Sequence, residues 1–263
     1  MVLIDGHAHL DSKQLFPKVG ELLAECDIIV VNASVDYESS LKTLEIARKY
    51  ERVIPAIGFH PEFVTREDEM PKVLELLQYA LEISEVGLDY YWIKDDALRK
   101  REVEILAKFL EAGEKLGLPV VLHSRGGNRD LLNLLPSFKV RFAIHAFEGS
   151  VKDAKKFVDL GGFISVPPVV VRDKTRTQVV REIDMDYLLT ETDSPFMSAE
   201  KGSVNKPCEV RRVITHVSQV KGVGEAEVVE KIEENFKRFF NVTKIEELVR
   251  KKEEKISNFF SQL

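Results

Sequence analysis

Five of the six histidines in the sequence stand at the ends of short apolar runs, a placement that favours metal binding. They are His7, His9, His60, His123 and His145. In a parallel barrel the carboxyl ends of all strands open at the same mouth, so these imidazoles would meet there. A lone histidine at a strand end is usually structural, but the set of five predicts a metal site. His216 lies in a helical stretch, and we expect it to be a surface or packing residue.

Two carboxylates complete the predicted set. His7 and His9 are two residues apart, so both imidazoles would point to one face of a strand. Glu85 lies inside an apolar run, where an unpaired carboxylate is costly, and its two oxygens could bridge two cations. Asp193 closes the last run; it could hold a cation and accept the proton of an attacking water. The predicted metal ligands are His7, His9, Glu85, His123, His145 and Asp193.

Nitrogen and oxygen donors without cysteine suit borderline or hard cations, and we predict two divalent metal ions, Zn²⁺, Mn²⁺ or Mg²⁺. Two cations about 3.5–4 Å apart can activate a shared water and stabilise developing negative charge. The HExxH, GxSxG, P-loop and GxGxxG signatures are missing from the sequence. We therefore predict a hydrolase in which Glu85 and Asp193 are the catalytic carboxylates. Asp5 and Asp11 lie an even number of residues from His7 and His9, so they would point to the same side of the strand. One could orient an imidazole, or both could be solvated.

Eight short apolar runs alternate with longer stretches of helical spacing, which is typical of an α/β fold. The runs cover residues 3–10, 27–34, 53–60, 81–88, 119–124, 140–147, 162–168 and 186–193. Eight alternations in one chain favour a closed TIM-type (β/α)8 barrel, with a doubly wound open sheet as the alternative.

The stretches between and after the runs predict helices. Two examples are 71–81 and 96–116, and extra C-terminal helices are predicted over 207–220, 225–239 and 244–260. An intermittent apolar stripe marks the last of these, which predicts a helix laid across the outside of the barrel or a dimer contact. No linker divides the chain, so we expect a single domain over 1–263 with a helical extension at 244–263.

The composition restricts the function and the location. A formal net charge of −6 excludes a global basic footprint for duplex binding, although a local basic patch stays possible. The two cysteines, Cys26 and Cys208, are too few for a disulfide framework, which fits a reducing compartment. Neither a signal peptide nor an apolar stretch near the ~18 residues of a membrane span is visible. We expect a cytoplasmic protein that is a monomer or a weak homodimer.

Seven motifs in order resemble the TatD-like family of metal-dependent hydrolases in the amidohydrolase superfamily. They are IDGHAHLD (4–11), GFHP (58–61), EVGLDYY (85–91), PVVLHSR (119–125), IHAFEGS (144–150), TETDSPF (190–196) and ENFKRFF (234–240). The resemblance implies a TIM-type barrel, two divalent metals and phosphodiester hydrolysis, often of DNA from its 3′ end.

The resemblance also distributes the ligands over two ions. His7, His9, Glu85 and Asp193 would hold one ion, and Glu85, His123 and His145 the other, with Glu85 bridging. His60 matches a histidine placed near substrate, and Arg125 could contact a phosphate or form a surface salt bridge. The loops depart from the family pattern at Glu148, at Lys201-Gly202, at VPPVVVR with Arg172, and beyond residue 243.

Three functions remain open at this point. The first is a phosphodiesterase or deoxyribonuclease acting on nucleic-acid ends. Its basic rim would come from Arg125, Arg172, Lys174, Arg176, Lys201 and Lys206, and its base-stacking aromatic from Tyr90, Tyr91, Trp92 or Phe147. The second is an amide or ester hydrolase, including an aminoacyl-ester deacylase, in which Glu148 suits a cationic amine. The third, a non-enzymatic metal-stabilised subunit, conflicts with a full ligand set at the mouth.

Overall fold

The computed structural model describes residues 2–262 and contains one eight-stranded parallel sheet. The strands follow each other in chain order, and each pairs in parallel with the next. They are β1 (Leu3–Ala8), β2 (Ile28–Ala33), β3 (Val53–Ile57), β4 (Glu82–Asp89), β5 (Val120–Arg125), β6 (Phe142–Ile144), β7 (Phe163–Val166) and β8 (Leu188–Thr190). Most strand residues are buried, as continuous apolar runs predict for strands covered on both faces.

The sheet closes because the segment after β8 returns to β1. The Asp193 amide donates to the carbonyl of His7 at 2.8 Å, and the His9 amide donates to the carbonyl of Ser194 at 2.8 Å. Ala8 and Ser194 form a parallel bridge between the same two segments. A doubly wound sheet would need a reversal in strand order, which this sheet does not have. The predicted TIM-type barrel is confirmed.

Ten α-helices surround or extend the barrel in the described part of the chain. They are α1 (Val19–Ala24), α2 (Tyr37–Lys49), α3 (Met70–Leu76), α4 (Asp96–Leu116), α5 (Asn128–Leu134), α6 (Val151–Asp159), α7 (Lys174–Glu182), α8 (Val210–Lys221), α9 (Glu225–Phe240) and α10 (Glu246–Ser261). Helix α4 has the predicted limits. Asp95 caps its start by accepting from the Leu98 amide at 2.9 Å, and Gly117 ends it in the left-handed region.

Other boundaries differ from the prediction where the backbone tightens. The stretch predicted as a helix over 71–81 is α3 followed by a 3-10 turn at Leu77–Tyr79. The run at 162–168 gives only the short β7, because consecutive prolines follow it and a 3-10 turn occupies Pro168–Arg172. The run at 186–193 gives only β8, so Asp193 lies in the loop beyond the strand.

The C-terminal helix α10 packs along α2, β3 and the turn at Leu77–Tyr79. Its Lys252 is 2% exposed and donates from Nζ to the carbonyl of Glu51 at 2.5 Å. The Phe259 ring meets the Tyr79 ring at 5.0 Å between centroids. The apolar stripe of this helix is therefore used within the chain, on the outside of the barrel. Among residues 2–262, no helix combines the length and apolar character needed to cross a membrane.

The two cysteines are paired, contrary to what their low number suggested. Cys26, just after α1, forms a disulfide with Cys208, in the 3-10 turn that follows the β8 loop. Their Cα atoms are 6.1 Å apart although 182 residues separate them. Spacing along the chain could not reveal this contact, because barrel closure creates it. One bridge is not a framework, but the inference from cysteine usage to a reducing compartment loses its basis.

Candidate metal centre

Four ligand atoms converge at the carboxyl end of β1. His9 Nε2 lies 3.3 Å from Asp193 Oδ1 and 3.6 Å from Glu85 Oε2. His7 Nε2 lies 3.6 Å from the same Glu85 oxygen, 3.9 Å from Asp193 Oδ1 and 3.3 Å from His9 Nε2. We call His7, His9 and Asp193, together with Glu85 Oε2, the first cluster.

The other oxygen of Glu85 faces a second group of imidazoles. Glu85 Oε1 lies 2.7 Å from His123 Nδ1, 3.4 Å from His60 Nε2 and 3.6 Å from His145 Nε2. We call His60, His123 and His145, together with Glu85 Oε1, the second cluster. His145 also borders the first cluster, since its Nε2 lies 3.9 Å from Asp193 Oδ1. The structure thus brings all six predicted ligands together around one carboxylate, and it adds His60 to them.

Two glycines allow the strands that carry these side chains to approach. A Cβ on Gly58 would lie 2.3 Å from the Glu85 backbone nitrogen. A Cβ on Gly87 would lie 2.0 Å from the His123 carbonyl oxygen. No side chain fits at either position, so these glycines set how closely the segments carrying His60, Glu85 and His123 can pack.

The Asp193 backbone is held in an uncommon conformation. Its φ of 54° lies in the left-handed region, which costs a non-glycine residue about 1–3 kcal/mol. Hydrogen bonds on both sides maintain it: the Asp193 amide donates to His7, and the Phe196 amide donates to the Asp193 carbonyl at 2.7 Å. The loop therefore directs this carboxylate at the two histidines of β1, with strain that is typical of functional sites.

Four groups that the sequence analysis missed orient the imidazoles. His7 Nδ1 meets Ser84 Oγ at 3.2 Å, and His9 Nδ1 meets the carbonyl of Ala33 at 2.9 Å. Asp89 Oδ2 lies 2.9 Å from His123 Nε2, and Glu191 Oε2 lies 3.2 Å from His145 Nδ1. Carboxylate or carbonyl partners of this kind fix ring orientation in metal sites.

A sequence signal existed for the two acids. Asp89 is four residues after Glu85, and Glu191 is two residues before Asp193. In an extended strand, residues an even number apart point to the same side, so each acid would be expected beside a predicted ligand.

Asp5 takes neither role that was considered for it. Asp5 is fully buried, and its carboxylate accepts from the Thr192 amide at 2.7 Å and from Thr192 Oγ1 at 2.6 Å. It therefore positions the segment before Asp193 rather than an imidazole, and burial raises its pKa well above the usual value. Asp11 is only partly exposed, its Oδ1 is buried without a hydrogen bond within residues 2–262, and its charge contributes to raising the pKa of His9.

Burial and charge set the protonation of both clusters. Burial lowers the pKa of His7, and the neighbouring His145 lowers it further. Burial also opposes protonation of His9, but Asp193 raises its pKa to about 10. In the second cluster Asp89 and Glu85 overcome burial and raise the pKa of His123 to about 10.

The charges of the carboxylates and the remaining histidine are coupled. Glu191 and Asp193 raise the pKa of His145 to about 9 against the effect of burial. Burial would raise the pKa of Glu85, yet the surrounding imidazoles, led by His60, hold it well below its usual value. Burial would also raise the pKa of Asp193, but the neighbouring histidines lower it below its usual value. Both carboxylates are therefore ionised.

The donor set fits divalent cations. Around a four-coordinate ion with ligands at about 2.0–2.2 Å, donor atoms lie roughly 3.3–3.6 Å apart. The first cluster has separations of 3.3 to 3.9 Å. Imidazole nitrogens and carboxylate oxygens are also the donors that Zn²⁺ and Mn²⁺ accept.

The comparisons with known proteins agree with this chemistry. A sequence model of the family described as TatD related DNase matches residues 4–241. The chain belongs to this family. An uncharacterized metal-dependent hydrolase of Methanocaldococcus jannaschii is 32% identical over 90% of this chain and 96% of its own. The human deoxyribonuclease TATDN3 is 27% identical over 90% of this chain and 94% of its own.

A solved TatD-family structure shares the fold. The crystal structure of the TatD homologue YJJV from Escherichia coli has a TM-score of 0.84 at 24% identity, covering 91% of this chain and 98% of that one. The resemblance to TatD hydrolases is confirmed, and with it the metal-dependent hydrolase predicted from the histidines and carboxylates.

Half of the predicted basic rim of this TatD-family member has polar partners within the chain. Lys206 lies 2.5 Å from Glu25, and Arg176 pairs with Asp173. Arg172 donates to the carbonyl of Ser198 at 3.3 Å. Lys174 and Lys201 are exposed. Arg125 makes no salt bridge among the described residues, and its guanidinium instead covers the Tyr91 ring at 3.8 Å.

The aromatic candidates divide in the same way. Phe147 is 3% exposed and belongs to the core, and the Tyr90 hydroxyl is bonded to Asp130 at 2.7 Å. Tyr91 and Trp92 are 50% and 58% exposed. Phe196, which the sequence analysis did not single out, is 60% exposed and lies 6.0 Å from the His9 ring. His216 lies away from the site in α8, where its Nε2 meets Thr177 Oγ1 at 3.0 Å.

Proposed function

We propose that the protein is a TatD-type deoxyribonuclease that holds two divalent cations. The observation that carries the proposal is that the two carboxylate oxygens of Glu85 face different clusters. Its Oε2 faces the first cluster and its Oε1 faces the second. One ion would be held by His7, His9, Glu85 and Asp193. The other would be held by Glu85, His123 and His145.

When bound, divalent cations supply Lewis acidity to a phosphoryl oxygen and lower the pKa of water. The chain's own groups then have separate tasks. Asp193 is ionised and directed at the cluster, so its carboxylate can accept a proton from the attacking water. Arg125 follows His123 by two residues and would contact a phosphate. His60 Nε2, close to Glu85 Oε1, is the group on the substrate side.

DNA is favoured over a cationic amide or ester by the surroundings of Glu148. Its side chain is 61% exposed, but Arg176 Nη2 lies 3.6 Å away and offsets its charge. Glu148 shares this arginine with Asp173, so its charge is only partly available to a cationic amine. The human relative named as a deoxyribonuclease supports the same substrate class.

The test loads the protein with Mn²⁺, Mg²⁺ or Zn²⁺ and offers 3′- and 5′-labelled single-stranded DNA beside a panel of acyl esters. We expect metal-dependent DNA cleavage and no ester turnover. Turnover of an ester without cleavage of DNA would refute the deoxyribonuclease.

Glu85→Gln tests the bridging role. The substitution keeps the shape of the side chain but removes the charge, so we expect the loss of both ions and of activity. His216→Asn is the matched control, since it alters a histidine of α8 that is remote from the cluster. Two ions retained in the Glu85→Gln protein, measured by elemental analysis, would contradict the bridge.

We propose further that the protein is cytoplasmic, that it is a monomer or a weak homodimer, and that residues 1–263 unfold as one domain. Cell fractionation tests the first expectation, and sedimentation velocity the second. Calorimetry tests the third, since a single domain should give one cooperative transition.

A further inference from the structure

Three large aromatic side chains are exposed near the metal centre. Tyr91, Trp92 and Phe196 are each at least half exposed, at 50%, 58% and 60%. Exposed aromatic surface is costly in water, and it is a common means of binding the faces of unpaired bases.

Phe196 belongs to the side of the first cluster. Its ring lies 6.0 Å from the His9 ring. Its backbone is fixed at both ends, since its amide donates to the Asp193 carbonyl at 2.7 Å and its carbonyl accepts from Asn205 Nδ2 at 2.8 Å. The exposed ring is therefore anchored to the loop that presents Asp193.

Tyr91 and Trp92 belong to the side of the second cluster. Asp89 Oδ1 accepts from the amides of both residues at 2.9 Å, while its Oδ2 meets His123 Nε2 at 2.9 Å. One carboxylate thus ties the aromatic pair to a predicted metal ligand. The ring centroids are 4.8 Å apart and the rings are nearly perpendicular, so they form a wall of two ring surfaces rather than one flat surface.

Positive charge accompanies this wall. The Arg125 guanidinium lies 3.8 Å from the Tyr91 centroid and 5.9 Å from that of Trp92. Lys94 Nζ lies 5.2 Å from the Tyr91 centroid. Aromatic faces beside cations are the arrangement that binds a single strand through stacked bases and neutralised phosphates.

We propose that Phe196 and the Tyr91–Trp92 pair stack on unpaired bases on the two sides of the scissile phosphate. This inference rests on the proposed function. Paired bases are stacked on their neighbours within a duplex, so only splayed bases can use both surfaces.

The test uses the fact that Trp92 is the only tryptophan of the chain. The metal-loaded protein is titrated with a single-stranded thymidine octamer whose phosphorothioate links resist hydrolysis. We expect quenching of the tryptophan fluorescence. An abasic octamer with the same number of charges should bind more weakly and cause no quenching.

Kinetics on hydrolysable single-stranded DNA give the second readout. Trp92→Ala and Phe196→Ala should each lower kcat/KM by about 5- to 100-fold, mainly through KM, since stacking on one aromatic has roughly that weight. Trp92→Phe should keep most of the activity. Leu116→Ala is the control for loss of exposed apolar surface, because Leu116 is 44% exposed at the end of α4, on the opposite face of the barrel.

The outcomes separate the two proposals. Equal quenching by the base-bearing and abasic octamers, or unchanged KM in both alanine variants, would overturn the stacking surfaces while the deoxyribonuclease stands. Failure of the wild type to cleave any DNA with any of the metals would overturn the deoxyribonuclease and the inference that rests on it.

Discussion

The two clusters share Glu85 but differ in how ready they are to hold a cation. In the first cluster the donor atoms stand 3.3 to 3.9 Å apart, close to the spacing around an ion. In the second, His123 is hydrogen-bonded through both nitrogens, at 2.7 Å to Glu85 and 2.9 Å to Asp89. His123 must give up its bond to Glu85 before it can ligate an ion, so we infer that the first cluster binds more tightly.

Exposure sharpens the contrast. The His7 side chain is fully buried, whereas the His123 side chain is 16% exposed. His123 is the most exposed imidazole of the two clusters, and we expect an ion beside it to exchange more easily. Under this hypothesis, the first cluster would bind its ion permanently, and the ion in the second cluster could exchange or shift during substrate binding.

After the loss of activity expected for Glu85→Gln, the largest effect comes from removing one ligand on each side. Asp193→Asn should lower kcat about a thousandfold, because it removes a ligand of the tight ion and the proton acceptor together. His123→Asn should leave one ion bound and cost less activity. Elemental analysis and initial rates check both, and an equal fall in kcat in the two variants would abolish the distinction between the clusters.

Asp89→Asn should act on the second cluster alone. Loss of the charge that orients His123 is expected to lower the affinity for the second ion by about 10- to 100-fold and to leave the affinity for the first ion unchanged. Competition with a metal chelator measures both affinities. Asp130→Asn is the control, since Asp130 binds the neighbouring Tyr90 hydroxyl rather than an imidazole. A weakened first ion would show that Asp89 supports the whole centre.

Acid should release the second ion first. Imidazoles must lose their protons to bind metal. The raised pKa values, about 10 for His123 and about 9 for His145, mean that both are protonated at pH 7 without metal. In the first cluster only His9, at about 10, is protonated, because the pKa of His7 is lowered.

Metal binding to the second cluster should therefore release two protons, and metal binding to the first cluster only one. The metal affinity of the second cluster should then fall more steeply than that of the first as the pH drops from 9 to 6. Calorimetric titration of metal in buffers of different ionisation enthalpy counts these protons. Equal counts for the two ions would contradict the assignment.

The smallest effect is expected at His60. His60→Asn should leave two ions bound and raise KM about tenfold, about 1.4 kcal/mol of lost substrate binding. The reason is that His60 is assigned to the substrate side although its Nε2 lies 3.4 Å from Glu85. A fall to one ion would make His60 a ligand of the second cluster instead.

The fold was largely predictable because the signals were local and repeated. Eight apolar runs, each followed by helical spacing, leave few alternatives to a barrel. The limits of α4 agree with the prediction, and in the structure Asp95 and Gly117 cap its two ends. The limits of β7 and β8 were not predictable in this way, since proline turns and a strained loop end these strands earlier than their apolar composition suggests.

By itself, the sequence determined the chemistry of this protein: which side chains are histidine or carboxylate, and that they end strands that open at one mouth. Only the tertiary structure decided their partners. It divided the oxygens of Glu85 between two clusters, placed Asp89 and Glu191 behind the imidazoles, exposed Phe196 and paired Cys26 with Cys208. The reason is that periodicity fixes the direction of a side chain along its own strand, while contacts between distant segments arise only when β8 closes against β1.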